Sequence, residues 1–227
     1  MALVSSIPDD GTIKLLEYAP ARIVPELRPY HGAAGSSNRT KSEGMLDYIR
    51  LRLEKYPYEG VGEFHVHVLD PAGRPLLKAI ARMAKVRRIP IHIHSGLALV
   101  RLFFELEPGL TIIWVHAGMS EPAEVVGAML DEYDTLYADT SYREHDIMTA
   151  VGTIVPDWLV VIPRHSDRLT VGTDTWVNSQ WDKYEGLVDL NRRWLSKLPR
   201  EISERVAYRN TARLFRRKNS PDLLGLR

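Results

Sequence analysis

Cysteine is absent from the 227 residues. That excludes disulfides, thiolate metal sites and cysteine nucleophiles, so any metal must be held by His, Asp, Glu or water. Charge of one sign is not in excess: the formal net charge is +1, which gives no footing for a nucleic-acid partner. The basic cluster of Arg213 and Arg216 to Lys218 reads as the solvated end of a last helix, where cations suit the dipole. No apolar run approaches the roughly 18 residues needed to cross a bilayer. Met1-Ala-Leu-Val lacks the basic start and long apolar stretch of a secretion signal. The expectation is a soluble, cytoplasmic protein with no membrane partner. Low-complexity tracts and interdomain linkers are missing too, so residues 1–227 read as a single domain, ample to bury a core.

What the chain does have is four short apolar runs that carry metal-grade side chains at or near their C-terminal ends. They are Gly60–His67 (GVGEFHVH), Ile89–Gly96 (IPIHIHSG), Thr111–Ser120 (TIIWVHAGMS) and Leu169–Trp176 (LTVGTDTW). The C-terminal mouth of a parallel sheet is where α/β proteins place their chemistry. Alternate residues of a strand face the same side. Glu63, His65 and His67 therefore share one face, and His92 and His94 share another. His94 and His116 each precede a small-residue exit, Ser95-Gly96 and Ala117-Gly118. Imidazoles and carboxylates from separate strand ends suit a divalent ion such as Zn²⁺, with Mn²⁺ and Fe²⁺ also compatible.

Periodicity predicts strands at Ala2–Ser5, Arg22–Arg28, Val61–Val68, Ile89–His94, Leu110–His116, Thr135–Ser141 and Leu169–Asp174. Helices are expected at Ser42–Tyr56, Pro75–Arg88, Leu97–Leu106, Pro122–Tyr133, Gln180–Leu198 and Glu201–Lys218. The runs containing His94 and His116 lack a polar face, as expected for parallel strands covered on both sides. Gly32–Asn38 reads as a loop at the strand ends, suited to gating a substrate. The fold class is α/β, of the (β/α)8 barrel type but incomplete, with seven strands where the barrel has eight.

Six motifs in order resemble those of one family. They are Gly60-Val-Gly-Glu63, Pro90-Ile-His-Ile-His-Ser-Gly96, His116-Ala-Gly118, Tyr137-Ala-Asp-Thr-Ser141, Val171-Gly-Thr-Asp-Thr175 and Tyr208-Arg-Asn-Thr-Ala-Arg-Leu-Phe215. The sequence is similar to the amidohydrolase superfamily, in its branch of amidohydrolase-related, TIM-barrel metal-dependent hydrolases, from about Ala2 to Phe215. The resemblance implies that Glu63, His94, His116 and Asp174 are metal ligands on the fourth, fifth, sixth and eighth strands. It implies hydrolysis of an ester, lactone or amide carbonyl, or a related decarboxylation, with Asp174 and His116 catalytic and the ion most readily Zn²⁺. His67, nearest the mouth on its strand, and Arg28, suited to clamp a carboxylate, are the substrate-binding candidates. The expected substrate is a carboxylated small molecule. Asp139 and Ser141 read as hydrogen-bonding support, Trp176 as pocket wall and Asn210 as structural.

One element of the family pattern is not found: the first strand with its His-x-His pair. His65-Val66-His67 has the right letters, but too few residues separate it from Ile91–His94 for three intervening βα units. The strands are therefore read as the second to the eighth, from a misplaced start or a truncated gene. A seven-stranded barrel closed by another chain, or a degenerate relative, would also give this pattern. Its unpaired strand edges invite a homodimer. Metal binding and turnover are expected to be impaired without the pair, and a non-catalytic binding or assembly subunit is the alternative function.

Overall fold

The computed structural model of the chain describes residues 1–32, 44–68 and 71–216. Most of the Gly32–Asn38 loop, and the end of the basic cluster, lie outside the described residues. The chain divides into two compact units, Met1–Trp114 and Val115–Asn219.

In the first unit, five strands alternate with helices: β1 (Ala2–Val4), α1 (Asp10–Tyr18), β2 (Ile23–Leu27), α2 (Met45–Lys55), β3 (Gly60–His65), α3 (Arg74–Arg87), β4 (Ile91–His94), α4 (Leu97–Leu106) and β5 (Ile112–Trp114). Neighbouring strands pair in parallel and in sequence order, from Ala2↔Ile23 through Leu27↔Val61 and His65↔His94 to Ile93↔Trp114. Each crossover carries its helix, as parallel pairing demands. Met45, Ile49 and Leu53 of α2 are buried, as are Leu77, Ile80, Ala81 and Ala84 of α3. Phe64 of β3 meets Phe103 of α4 edge to face at 6.1 Å. Each such Leu, Ile, Met or Phe burial contributes about 1.5–3 kcal/mol. At its start, α1 is tied to α2: the buried Asp9 carboxylate accepts from Arg52 Nε at 2.6 Å and Tyr58 Oη at 2.5 Å.

Sequence pattern and structure differ on β4. Ile91 and Ile93 are buried while His92 and His94 are half-buried. The strand therefore has two distinct faces. Phe64, in register with Ile93, marks the helix-covered side, and His65, in register with His94, marks the other. Between Val61 and Phe64 the register shifts by one residue, a bulge that sets which β3 side chains join that second face.

The second unit holds a 3₁₀ turn at Val115–Ala117, then α5 (Ala123–Glu132), β6 (Leu136–Asp139), α6 (Glu144–Ile147), α7 (Pro156–Arg164), β7 (Leu169–Thr170), α8 (Asn178–Trp181), α9 (Tyr184–Leu195), α10 (Arg200–Glu204) and α11 (Asn210–Leu214). A π-helical turn, Arg205–Arg209, separates the last two. β6 and β7 pair in parallel, Ala138 with Leu169 and Asp139 with Thr170. The expected strand at Leu169–Asp174 stops at Thr170, so Asp174 stands on the loop that follows it. α1 and α7 are absent from the sequence expectation. α1 has only Thr12 and Ile13 buried, too few for a helical stripe to declare itself. α7 carries Pro163 within its span, which the sequence reads as a breaker.

Asn210 bears out its structural reading. It is 1% exposed, and its Nδ2 donates to the Ser166 and Leu169 carbonyls, both at 2.7 Å. Replacement by Ala would leave both carbonyls without that donor. Asn210→Ala is expected to cost about 2–4 kcal/mol, at roughly 1–2 per lost buried bond, read as a lowered urea midpoint.

Candidate functional site

In the first unit, the face of the sheet marked by His65 and His94 collects ionisable groups. β2 contributes Glu26 and, just beyond its end, Arg28; β3 gives Glu63 and His65, with His67 following; β4 gives His92 and His94. Arg28 donates an Nη2 bond to Glu63 Oε2 at 2.8 Å, and His65 Nε2 lies 3.3 Å from the same oxygen. Glu63 Oε1 is 3.9 Å from His94 Nε2. Burial, the largest influence, pushes the Glu63 carboxyl up. The hydrogen bond to His65, with the charges of His92, Arg28 and His65, outweighs it and lowers the pKa to about 2. Glu63 is thus anionic at any ordinary pH.

Three imidazoles gather beside that carboxylate. His65 and His94 stack at 4.2 Å with 12° between ring planes. His67 meets them edge-on, at 5.7 Å from His65 and 5.6 Å from His94. One ring nitrogen from each of the three lies within 4.8 Å of the others. Tetrahedral Zn–N bonds of about 2.0–2.1 Å put ligand nitrogens roughly 3.4 Å apart. Small side-chain turns close that difference, so this donor set fits a divalent ion.

Glycines make the face possible. A Cβ on Gly62 would lie 2.6 Å from both the Cβ and the carbonyl oxygen of His92, and one on Gly60 would lie 3.1 Å from Glu26 Oε1. With no side chain there, Glu26 of β2 and His92 of β4 reach across β3, Nδ1 to Oε2 at 3.3 Å. Glu26 is 2% exposed, and the sequence reading passed over it. The signal available was a carboxylate in the apolar run Val24-Pro-Glu-Leu27.

In the second unit, His116 sits in the 3₁₀ turn after β5 with φ 53°. Its backbone N–H donates to Asp139 Oδ2 at 3.1 Å, and Asp139 Oδ1 accepts from Ser141 N at 2.7 Å. His116 Nδ1 lies 3.0 Å from the Ser141 carbonyl. Ser141 Oγ is nearer, at 2.9 Å, and a hydroxyl either accepts from Nδ1–H or donates to Nδ1, so Ser141 holds the ring by Nδ1 and leaves Nε2 for another partner. That Nε2 is 3.6 Å from Asp174 Oδ2. Asp139 and Ser141 thus do what the sequence reading asked of them. The guanidinium of Arg143, 3% exposed, binds the carbonyls of His116, Ala117 and Glu121 and locks the turn.

Backbone strain concentrates here. His116, Ala117, Met119, Tyr142 and Asp174 all have positive φ, between 41° and 68°. Each such non-glycine residue costs about 1–3 kcal/mol and is kept where the surroundings fix it, commonly at functional sites. Tyr142, which the sequence reading missed, stands edge-on to His116 at 5.2 Å. Its hydroxyl accepts from Trp176 Nε1 at 3.1 Å and Gln180 Nε2 at 2.6 Å. Trp176, expected as pocket wall, is exposed and held against Tyr142 by these bonds.

Close by, Glu144 is 6% exposed and accepts from Asn191 Nδ2 at 3.2 Å. Burial pushes its carboxyl up, bonds from its own backbone and Asn191 pull it down, and the Asp139 charge raises it further; the net shift is upward. A carboxyl with a raised pKa binds a proton in the folded state that the unfolded chain has released. Its stabilising contribution is present below the unfolded value and lost as pH rises through the folded one. Glu144→Gln is therefore expected to gain stability relative to the parent as pH rises from about 4 to about 8, measured by paired urea titrations.

Of the expected residues, Arg28, Glu63, His67 and His94 belong to the first unit and His116 and Asp174 to the second. No described helix is long and apolar enough to cross a membrane. A model of the amidohydrolase family matches residues 28–217. No curated protein matches the sequence. Among solved structures, an uncharacterised TIM-barrel protein from Bordetella bronchiseptica is similar at a TM-score of 0.63 and 15% identity, over 91% of this chain and 71% of that one. That likeness shows the fold: α/β of the TIM-barrel type, with seven strands among the described residues.

Proposed function

The chain belongs to the amidohydrolase family, and on that footing we propose that it is a metal-dependent hydrolase acting on the carbonyl of an ester, lactone or amide. The observation that carries this reading is the His116–Asp174 pair, 3.6 Å apart, with both residues in left-handed backbone and the His116 ring held at Nδ1 by Ser141. Glu63, His94, His116 and Asp174 remain the ligand set that the resemblance implies. A divalent ion, with Zn²⁺ first and Mn²⁺ or Fe²⁺ as alternatives, would lower the pKa of water toward about 7 and polarise the carbonyl.

The chain's own residues account for the rest. Asp174 accepts the proton of the attacking water at a carboxylate oxygen and returns it to the leaving group. His116 presents Nε2 toward Asp174, with Nδ1 held by Ser141. Arg28 uses one amino group on Glu63 and stacks over Tyr30 at 5.3 Å. Its other amino group is the proposed contact for a substrate carboxylate. The test is a panel of carboxylated esters, lactones and amides, with CO₂ release followed in parallel for the decarboxylation alternative. Turnover abolished by a chelator and restored by added metal supports the proposal. Chelator-insensitive turnover, or none on any carbonyl substrate, refutes it.

A further inference from the structure

We propose that His65, His67 and His94 form a three-imidazole metal site within the first unit, with β3 supplying the His-x-His pair that strand order assigns to a first strand. The proposal rests on the metal-dependent reading above, and it differs from the ligand set the resemblance implies. Both sets contain His94; this one has His65 and His67 in place of Glu63, His116 and Asp174.

Pairing geometry brings the three together. His65 and His94 are register partners on adjacent parallel strands, so their side chains leave the sheet side by side on one face. His67 lies two residues past His65 and returns to that face. Val66, between them, is buried, and its N–H donates to the His94 carbonyl at 3.3 Å. Ser95 Oγ donates to the Val66 carbonyl at 2.6 Å. These two bonds hold the short stretch after β3 against β4, so the separation of the rings is set by backbone as well as by rotamer.

Charge permits an ion there. The guanidinium of Arg28 comes within 3.4 Å of His65 Nε2. Its 2.8 Å ion pair with the Glu63 carboxylate offsets that positive charge locally. His67 is exposed while His65 and His94 are half-buried. The three-nitrogen site is thus covered on the sheet side and open at His67, which leaves a coordination position for water or an oxygen ligand, as in catalytic rather than structural zinc sites. A first-row divalent ion with a preference for imidazole, Zn²⁺ or Co²⁺, is the chemical class that fits.

The experiment is a Co²⁺ titration of the full chain followed by visible absorption, with Zn²⁺ competition and elemental analysis, and circular dichroism to check folding. The parent is expected to bind about one ion per chain. His67→Asn, exposed and so least able to disturb the fold, should weaken Co²⁺ binding by about tenfold or more, as should His65→Asn and His94→Asn. His145→Asn, an exposed imidazole outside both ligand sets, should leave the Co²⁺ affinity within about twofold. If His116→Asn and Asp174→Asn weaken binding tenfold while His67→Asn does not, the site proposed here is wrong and the hydrolase reading stands. If the parent binds neither ion at micromolar free metal, the site and the metal-dependent reading fall together.

Discussion

Asp174→Asn is expected to lower kcat/KM about a thousandfold, within the 10²–10⁴ that a general base contributes, while the fold is kept. Asn is the informative replacement because Asp174 sits at φ 41°. Asn tolerates the left-handed region nearly as well as Asp, whereas Ala at that φ would add backbone strain to the chemical loss. The amide matches the carboxylate in shape, can still lie 3.6 Å from His116 Nε2, and cannot accept the water proton. The loss should fall on kcat, with KM little changed, since a proton acceptor acts in the transition state. Unchanged kcat in a folded Asp174→Asn protein would remove Asp174 from the mechanism.

Gly62→Ala carries the largest expected effect on stability. Its new Cβ would stand 2.6 Å from the His92 Cβ and from the His92 carbonyl oxygen. The carbonyl belongs to β4 backbone, so relief requires moving one strand against the other. Overpacking of this kind typically costs 1–3 kcal/mol, and the backbone contact puts this case at about 3 or above. Because Gly62 precedes Glu63 and lies in the bulge, the same movement would displace Glu63 and His65, and activity should fall along with the melting temperature. Gly60→Ala is the comparison: its Cβ would meet only the Glu26 carboxylate end, at 3.1 Å, which can turn aside. A Gly62→Ala protein as stable as Gly60→Ala would show that the close approach of β3 and β4 is not fixed as described.

The features that a sequence can reveal are those carried by local chemistry. His94 and His116 sit at the exits of apolar runs, and both were legible because an imidazole ends a string of β-branched residues before a small-residue turn. Ser42–Tyr56 and Pro75–Arg88 were legible as helices because Ile49, Leu53 and Ile80 recur at helical spacing. What depends on register was not legible. Nothing local indicates that β3 bulges between Val61 and Phe64, that His65 pairs with His94, or that two glycines let Glu26 meet His92 across a strand. Gly118 marks a turn, but the left-handed backbone of His116 and Ala117 before it was hidden, because neither is a glycine; the Arg143 guanidinium, distant in sequence, holds it. Tyr142 escaped for a related reason, since its place beside His116 follows from a backbone turn that its neighbours in sequence do not announce.

The reading of His65-Val66-His67 turned on strand order alone. Counting excluded the pair from the first strand, and its place nearest the mouth made His67 a substrate-binding candidate. Parallel register then placed it where a ligand would stand, with a ring nitrogen within 4.8 Å of His65 and His94. A function assigned by motif order and one assigned by spatial neighbours thus differ for the same residue, and the Co²⁺ titration separates them.

The central claim is that this chain hydrolyses carbonyl substrates with a bound divalent ion. Its most direct test is to strip the protein of metal, add Zn²⁺, Mn²⁺ or Fe²⁺ in steps, and measure bound ion and turnover on the same samples. The account predicts no activity without metal and a rate that rises in proportion to bound ion, levelling at about one equivalent per chain. Full activity in the stripped protein, or saturation with metal that leaves it inert across the ester, lactone and amide panel, would contradict it.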